Sequence, residues 1–352
     1  MEVNILLEDG TSMKGKTQIH FDHLVGELVF NTGMTGYQEV MTDPSYAGQM
    51  VLMTYPLIGN YGIRVGEEES ERIQVKAFIV KEVTEEISDY TAKQDIPLIY
   101  DLDTRMLTRK IRKSGTMNCM IQCEYDKDEE LDQLYTYAAD KEIIDVVSCK
   151  EIIDYSGSGT KVGVLDFGVK RSIIDRLKAL NCHIIQFPHD TPAKVILGYK
   201  LDVLLLSNGP GDPKWAEIGI DCCKDLAGQI PLRGICLGHQ ILALALGGDT
   251  YKLKFGHRGS NHPVMELETN KVFITSQNHG YGVRDEKLPE GMKVTYRNIN
   301  DQSVEGIEVK ALNIKSVQFH PEEGPGPEEG HIILDNWIKE IEKEDQINAI
   351  KK

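Results

Sequence analysis

Positive charge is scarce in this chain. Its 352 residues carry 39 Lys and Arg against 55 Asp and Glu, a formal net charge of −16. Nucleic acid and anionic membrane surfaces are bound by clustered Lys and Arg, so neither is an expected partner; the plain reading of the acidity is solubility. Long apolar runs are missing as well. "ILALALGG" is among the longest, far short of the about 18 residues of a membrane span. The opening "MEVNILLEDG" has no basic segment followed by an apolar stretch, so no secretory signal is expected. The seven cysteines are irregularly spaced and include no C-x-x-C. They read as reduced, mostly buried thiols of a cytoplasmic protein. No Cys/His pairs have ligand spacing, so no metal site is expected.

What is present is an ordinary globular composition, 41% hydrophobic and 27% charged, in a chain long enough for two domains. The polar, Gly/Ser-rich stretch "CKEIIDYSGSGT", Cys149 to Thr160, is the best linker candidate and places the domains at 1–157 and 158–352. After it, strand and helix signals alternate. "KVGVLDF", "HIIQF", "DVLLLS" and "IPLRGI" read as strands. "VKRSIIDRLKAL" places Ile173, Ile174, Leu177 and Leu180 at helical spacing, and "LGHQILALAL" opens another helix. This rhythm predicts an α/β fold with a doubly wound, mostly parallel sheet. Strand-rich pieces such as "KVFITSQ" and "IKSVQFH" follow, then the amphipathic helix "HIILDNWIKEIEKE" and a charged, frayed tail. The first 150 residues or so carry short strands broken by Gly, Pro and Asp, and one basic helix in "DTRMLTRKIRKSG". They predict a β-rich α+β domain.

Two motifs are decoys. "GTSMKGKT", Gly10 to Thr17, matches G-x-x-x-x-G-K-[ST], but a phosphate loop needs a helix directly after it. "TQIHFDH" follows instead, with Ile19 and Phe21 alternating as in a strand, so a β-hairpin is expected. "DFG" at Asp166 to Gly168 lacks the other kinase segments.

"GICLGHQ", Gly234 to Gln240, is different. It is the thiol version of the G-x-S-x-G elbow, after a strand signal and before a helix signal. Small flanking residues let the turn close, and the helix N-terminus favours a thiolate. The N–H of Leu237 then points where an oxyanion would form. A thiol also needs a base and a group to orient it. His320 and Glu322 in "VQFHPEE" supply that pair. "LSNGPGDP" adds a tight loop at a strand end, where α/β sheets bind ligands, with the Gly211 N–H as a second oxyanion donor. From pattern alone a buried structural Cys236 stays open. His239 reads as structural, His279 as part of a loop in "SQNHGYG", and the adjacent Cys222 and Cys223 as helix core.

These blocks carry a resemblance. "SNGPGDP", "GICLGHQ" and "QFHPE", in that order, with "FGHRGSNHPV" and "TSQNHGY" between the last two, resemble the signatures of the class I (triad) glutamine amidotransferases, a flavodoxin-like fold. "LEDGTSMKG", "VFNTGMTGYQEVMTDPSYAGQMVLMTYPLIGNYG" and "DTRMLTRKIRKSGTM" resemble the N-terminal domain of the small, glutaminase subunit of carbamoyl phosphate synthetase. The resemblance implies that Cys236 attacks the carboxamide of L-glutamine, that Leu237 and Gly211 hold the oxyanion, and that His320, oriented by Glu322, handles protons. It implies glutamine contacts at Ser45, Gly209, Gly211, Leu237, Gln240, Asn278, Gly280 and Tyr281, with Ser45 drawn from the N-terminal domain. It further implies a large synthetase subunit as partner, with ATP and Mg on that subunit and no cofactor in this chain. Two positions depart from the family pattern: Tyr281, often Phe, and Asp101 in "DLDTR", where the family begins Gly-Ile-Asp-Thr-Arg. The other readings are a triad glutaminase serving another acceptor, such as chorismate or a purine nucleotide, and a non-catalytic regulatory subunit keeping the fold.

Overall fold

The computed structural model describes residues 1–123, 134–322, 325–326 and 330–350, with side chains as far as residue 343. The expected frayed tail is instead helical as far as Ile350, in helix His331–Ile350, and residues 351–352 lie outside the described residues. Two compact units emerge: Met1–Asp140 with Lys254–Gly259, and Lys141–Leu253 with Ser260–Lys352.

The first unit is built on β1 (Glu2–Leu7), β2 (Ser12–Thr17), β3 (His23–Asn31), β4 (Gln49–Met53), β5 (Leu57–Ile58), β6 (Ala77–Ile79), β7 (Glu82–Val83), β8 (Leu98–Tyr100) and β9 (Met117–Gln122). Seven of these close a barrel in the order β1-β2-β8-β6-β4-β3-β9, and β5 pairs with β7 apart from it. Alternation along each strand sorts the side chains. Val3, Ile5, Leu7, Leu28, Met50 and Leu52 share one core, while Val29, Val51, Met53 and Phe78 lie in another with Tyr37, Val40 and Met41. Helix Thr104–Ser114 sends Leu107 and Ile111 into the first of these cores. It starts where Asp103 accepts the Met106 N–H (2.8 Å) and stops at Gly115, φ 102°. The G-x-x-x-x-G-K-T segment lies in the β1–β2 hairpin, as expected, with Ile5 opposite Met13 and no helix after Thr17, but residues 18–22, whose Ile19 and Phe21 alternate, connect β2 to β3 without strand pairing.

Asp101 resolves the "DLDTR" departure. Its φ of 62° is left-handed, a conformation natural to Gly and tolerated by Asp. A glycine at this position would take the same conformation without strain.

The second unit carries β10 (Ile153–Tyr155), β11 (Lys161–Asp166), β12 (His183–Pro188), β13 (Val203–Leu206), β14 (Leu232–Ile235), β15 (Thr250–Glu266, of which Lys254–Gly259 counts with the first unit), β16 (Val272–Val283), β17 (Lys293–Asn298), β18 (Val304–Val309) and β19 (Ile314–Val317). They form one sheet in the order β10-β12-β11-β13-β14-β19-β18-β16-β15-β17. The middle five, β12-β11-β13-β14-β19, are parallel. Ranked by chain position they run 2-1-3-4-5, the flavodoxin-like order, whose ligand crevice opens where β11 and β13 feed helices on opposite faces. Helices Arg171–Ala179 and His331–Ile350 cover one face through Ile173, Leu177, Leu334 and Ile341. Helices Glu217–Leu226 and Leu237–Ala245 cover the other, burying Cys222, Cys223, Ile241 and Leu242. The doubly wound expectation therefore holds.

Two further local expectations do not. The linker-like stretch Cys149 to Thr160 contains β10, which pairs antiparallel with β12. The Cys149 N–H also donates to Asp166 Oδ2 (2.8 Å). Residues 141–157 thus belong with the second unit, and the boundary falls at Asp140 rather than 157. "SQNHGYG" is not a loop but the end of the twelve-residue strand β16. Its polar, glycine-containing letters hide an extended backbone whose hydrogen bonds come from sheet neighbours.

Candidate active site

The site grows from the turn between β14 and helix Leu237–Ala245. Cys236 occupies that turn at φ 53°, ψ −102°, a region costly for any residue with a Cβ and typical of functional strain. Its N–H donates to Val317 O on β19 (2.9 Å), and the Gly238 N–H donates to Ser207 O beyond β13 (3.0 Å). The turn is thereby pinned between two neighbouring strands. The flanking glycines are obligatory. A Cβ on Gly234 would lie 2.7 Å from the Gly238 carbonyl carbon, and one on Gly238 would lie 2.3 Å from Leu206 O. The thiol is 2% exposed and sits at the positive end of the helix.

Two neighbours touch the sulfur. Sγ lies 3.6 Å from the Asn278 carbonyl oxygen, and Gln318 Nε2 lies 3.6 Å from Sγ. His320 stands two residues past Gln318, its N–H donating to Ser276 O of β16 (2.9 Å). Its Nδ1 meets Glu322 Oε1 at 2.6 Å. Its Nε2 is buried without a hydrogen-bond partner among the described residues, so it is available for proton transfer. Burial by itself would keep this ring neutral, but the Glu322 carboxylate and the Cys236 sulfur outweigh it and push the imidazole up to about 10. Burial would likewise raise Glu322, but Lys170 and His320 outweigh it and hold the carboxyl at about 2. Glu322 is thus held as a carboxylate and favours the charged form of the imidazole beside it, with the Cys236 sulfur in the same field.

Lys170 is the member that sequence reasoning missed. Its Nζ lies 3.0 Å from Glu322 Oε1, and both side chains are essentially inaccessible to solvent. It stands at the start of helix Arg171–Ala179, just past the end of β11. The segment dismissed as a stray "DFG" builds its support. Asp166 Oδ1 accepts the N–H groups of Gly168 (2.8 Å) and Val169 (2.7 Å). Phe167 N–H donates to Ser207 Oγ (2.9 Å) and Lys170 N–H to Asn208 Oδ1 (3.2 Å). The "SN" of "SNGPG" thus ties the Lys170 loop to the end of β13. A lysine at a strand's carboxyl end, at the switch point of a doubly wound sheet, was the available signal.

The other expected residues of this unit lie just past β13, on helix Leu237–Ala245 and on β16. Gly209 packs so closely under Phe167 O that a Cβ would lie 2.2 Å from it and 2.8 Å from Leu237 Cδ2. Gly211 has φ 91°. Neither the Leu237 nor the Gly211 N–H makes a backbone hydrogen bond among the described residues. Gln240 Nε2 donates to Tyr281 O (2.8 Å) and to Gln318 Oε1 (2.9 Å). The Tyr281 contact is made by its backbone, so the Tyr-for-Phe difference leaves it unchanged. Gly280 and Tyr281 are half-buried on β16 beside Asn278. Ser45 belongs to the first unit, in the turn Pro44–Tyr46, where its N–H donates to Asp43 Oδ1 (2.8 Å). Its part in glutamine binding rests on the resemblance.

Competing side chains fall away. His239 is buried, its Nδ1 meets Ser316 Oγ (2.9 Å), and burial pushes it down to about 3. It is neutral at working pH and meets no carboxylate among the described residues. All seven cysteines are free. Burial pushes Cys182 up to about 12 and Cys222 up to about 11, and Cys119, Cys149 and Cys223 upward as well. Those thiols stay protonated and inert. No helix among the described residues is long and apolar enough to cross a membrane.

Comparison with known proteins agrees with this geometry. Residues 163–340 match the family described as glutamine amidotransferase class-I, and residues 5–121 match the carbamoyl-phosphate synthase small chain, CPSase domain. A carbamoyl phosphate synthase small chain of Methanocaldococcus jannaschii is 48% identical over 349 residues, covering 96% of this chain and 99% of that one. One from Clostridium acetobutylicum is 47% identical, covering 95% and 98%. A pyrimidine-specific small chain of Bacillus subtilis is 43% identical, covering 97% and 96%.

Proposed function

The chain belongs to the carbamoyl phosphate synthase small-chain family, and on that premise we propose that it hydrolyses L-glutamine at Cys236 and passes the ammonia to a large synthetase subunit. The observation that carries the chemistry is the buried sequence Lys170–Glu322–His320 beside a cysteine on a strained strand-to-helix turn.

The steps follow from this arrangement. The Cys236 thiolate attacks the carboxamide carbon of glutamine, and the carbonyl π electrons move onto oxygen. The Leu237 and Gly211 N–H groups hold that oxyanion. As the tetrahedral centre collapses, His320 gives its Nε2 proton to the departing nitrogen, which leaves as ammonia. A γ-glutamyl thioester and a neutral imidazole remain. His320 then takes a proton from water, hydroxide adds to the thioester, and the thiolate departs to give glutamate. Glu322 keeps Nδ1 protonated throughout, and Lys170 keeps Glu322 ionised. The family's carbamoyl phosphate chemistry, with its ATP and Mg, is assigned to the partner subunit.

The test combines this chain with a large synthetase subunit. Glutamine-dependent carbamoyl phosphate formation is expected. Cys236→Ser should lose it by several orders of magnitude while ammonia-dependent synthesis by the complex persists. Undiminished glutamine hydrolysis in that variant would refute the assignment.

A further inference from the structure

Gln318 is buried completely, two residues before the histidine, and no step above uses it. Its backbone N–H donates to Glu305 O on β18 (2.8 Å). In extended chain, residues two apart project to the same side, so Gln318 and His320 both turn towards Cys236. Among the described residues the amide of Gln318 hydrogen-bonds two side chains, and together they fix which way round it lies.

The argument starts at Tyr281 O, a carbonyl that can only accept. Gln240 must therefore present its NH2 group there, at 2.8 Å. The second hydrogen of that NH2 goes to Gln318 Oε1 at 2.9 Å. With its oxygen so engaged, Gln318 can offer the sulfur only its NH2, which lies 3.6 Å from Sγ. The opposing contact is the Asn278 carbonyl, also 3.6 Å from Sγ. That carbonyl favours the neutral thiol, whose S–H it can accept. The Gln318 N–H favours the thiolate, because hydrogen bonds strengthen when the acceptor is charged. We propose that Gln318, locked in orientation by Gln240 and the Tyr281 carbonyl, donates a hydrogen bond to the Cys236 thiolate and holds it ready for attack. The inference rests on the glutaminase reading and adds a second, uncharged stabiliser beside the imidazolium of His320. It also links the thiolate to Gln240 and Tyr281, two residues expected to contact glutamine.

The test reads the thiolate directly. Full-length protein is treated with iodoacetamide across a range of pH, and the alkylation of Cys236 is followed by peptide mass spectrometry, with Cys236→Ser giving the background. Gln318→Met keeps the length of the side chain and removes the donor. Its alkylation at pH 7 should be roughly tenfold slower, the size expected when a hydrogen bond to a charged group is lost, and its rate profile should move to higher pH. In a glutaminase assay kcat should fall more than KM rises. Gln318→Glu keeps the shape but sets a carboxylate against the sulfur, so its profile should move further in the same direction. A folded Gln318→Met protein with the wild-type alkylation profile would overturn the proposal. If that variant does not fold, a wild-type profile in Gln318→Glu would do so. Because alkylation needs no glutamine turnover, the outcome is independent of whether the chain proves to be a glutaminase.

Discussion

Lys170 and Glu322 form an ion pair 3.0 Å long in which neither side chain reaches solvent. The same carboxylate oxygen, Oε1, takes His320 Nδ1 at 2.6 Å. Two cations thus converge on one buried acceptor. Glu322 can stay ionised beside an imidazolium that comes and goes during turnover because Lys170 never leaves.

The first prediction concerns Lys170. Lys170→Met leaves Glu322 buried with a single intermittent partner. Breaking one side of a buried pair costs about 3–5 kcal/mol, so denaturant unfolding should show a loss of that order. Glutamine hydrolysis should fall sharply, since a protonated Glu322 no longer fixes the imidazole. Lys170→Arg should recover part of the stability and little of the activity, because the guanidinium does not fit the space of an ammonium. Wild-type turnover in Lys170→Met would show that Glu322 needs no counter-charge.

The second prediction concerns pH. Glu322 is depressed from 4.5 to about 2, so its stabilisation is present above its unfolded value and is lost as pH falls from about 4.5 towards 2. His320 is raised from 6.5 to about 10. Its contribution is full below 6.5 and is lost as pH rises towards 10. Melting temperature should therefore decline on both sides, and His320→Gln should flatten the alkaline side while an acid decline persists, reduced because Lys170 alone then holds Glu322 ionised. An unchanged alkaline decline in that variant would place its source elsewhere.

A third prediction separates two kinds of glycine. Gly238 needs its missing side chain for space: a Cβ there would meet Leu206 O at 2.3 Å. Gly247 needs only its backbone freedom, with φ 95° and nothing within 4 Å of a Cβ. Gly247→Ala should cost about 1 kcal/mol. Gly238→Ala should cost several times that or fail to accumulate as folded protein, because two strands and the nucleophile turn would have to move apart. Similar melting temperatures for the two variants would contradict this.

Much of the site could be read before the structure, because its chemistry is local. The elbow glycines, Cys236 and the His320-x-Glu322 pair are each contained in a few letters and follow strand signals. What could not be read is what topology assembles. Lys170 meets Glu322 across 152 positions of sequence, through a sheet that brings the end of β11 to the segment after β19. Gln318 looks like one more strand residue until Gln240, on a different element, fixes its amide. The barrel was legible only as short strands, since nothing local announces that β1 closes on β9. Composition misled at "SQNHGYG" and at Cys149 to Thr160, where polar letters describe strand residues held by partners rather than loop or linker.

The last prediction turns on the backbone of the nucleophile. At φ 53° and ψ −102° the Cβ of Cys236 is itself a source of strain, of the order of 1–3 kcal/mol at such positions. At most buried positions Ala is more stable than Gly, because Gly loses more conformational entropy on folding. Here the order should reverse. Cys236→Gly and Cys236→Ala both remove the sulfur and both should be inactive, but the glycine variant should be the more stable by about 1 kcal/mol. Denaturant unfolding of the two proteins side by side measures this difference free of the shared loss of the thiol. If the alanine variant proves equal or more stable, the turn is not strained, and the placement of the thiol must come from the hydrogen bonds to Val317 and Ser207 alone.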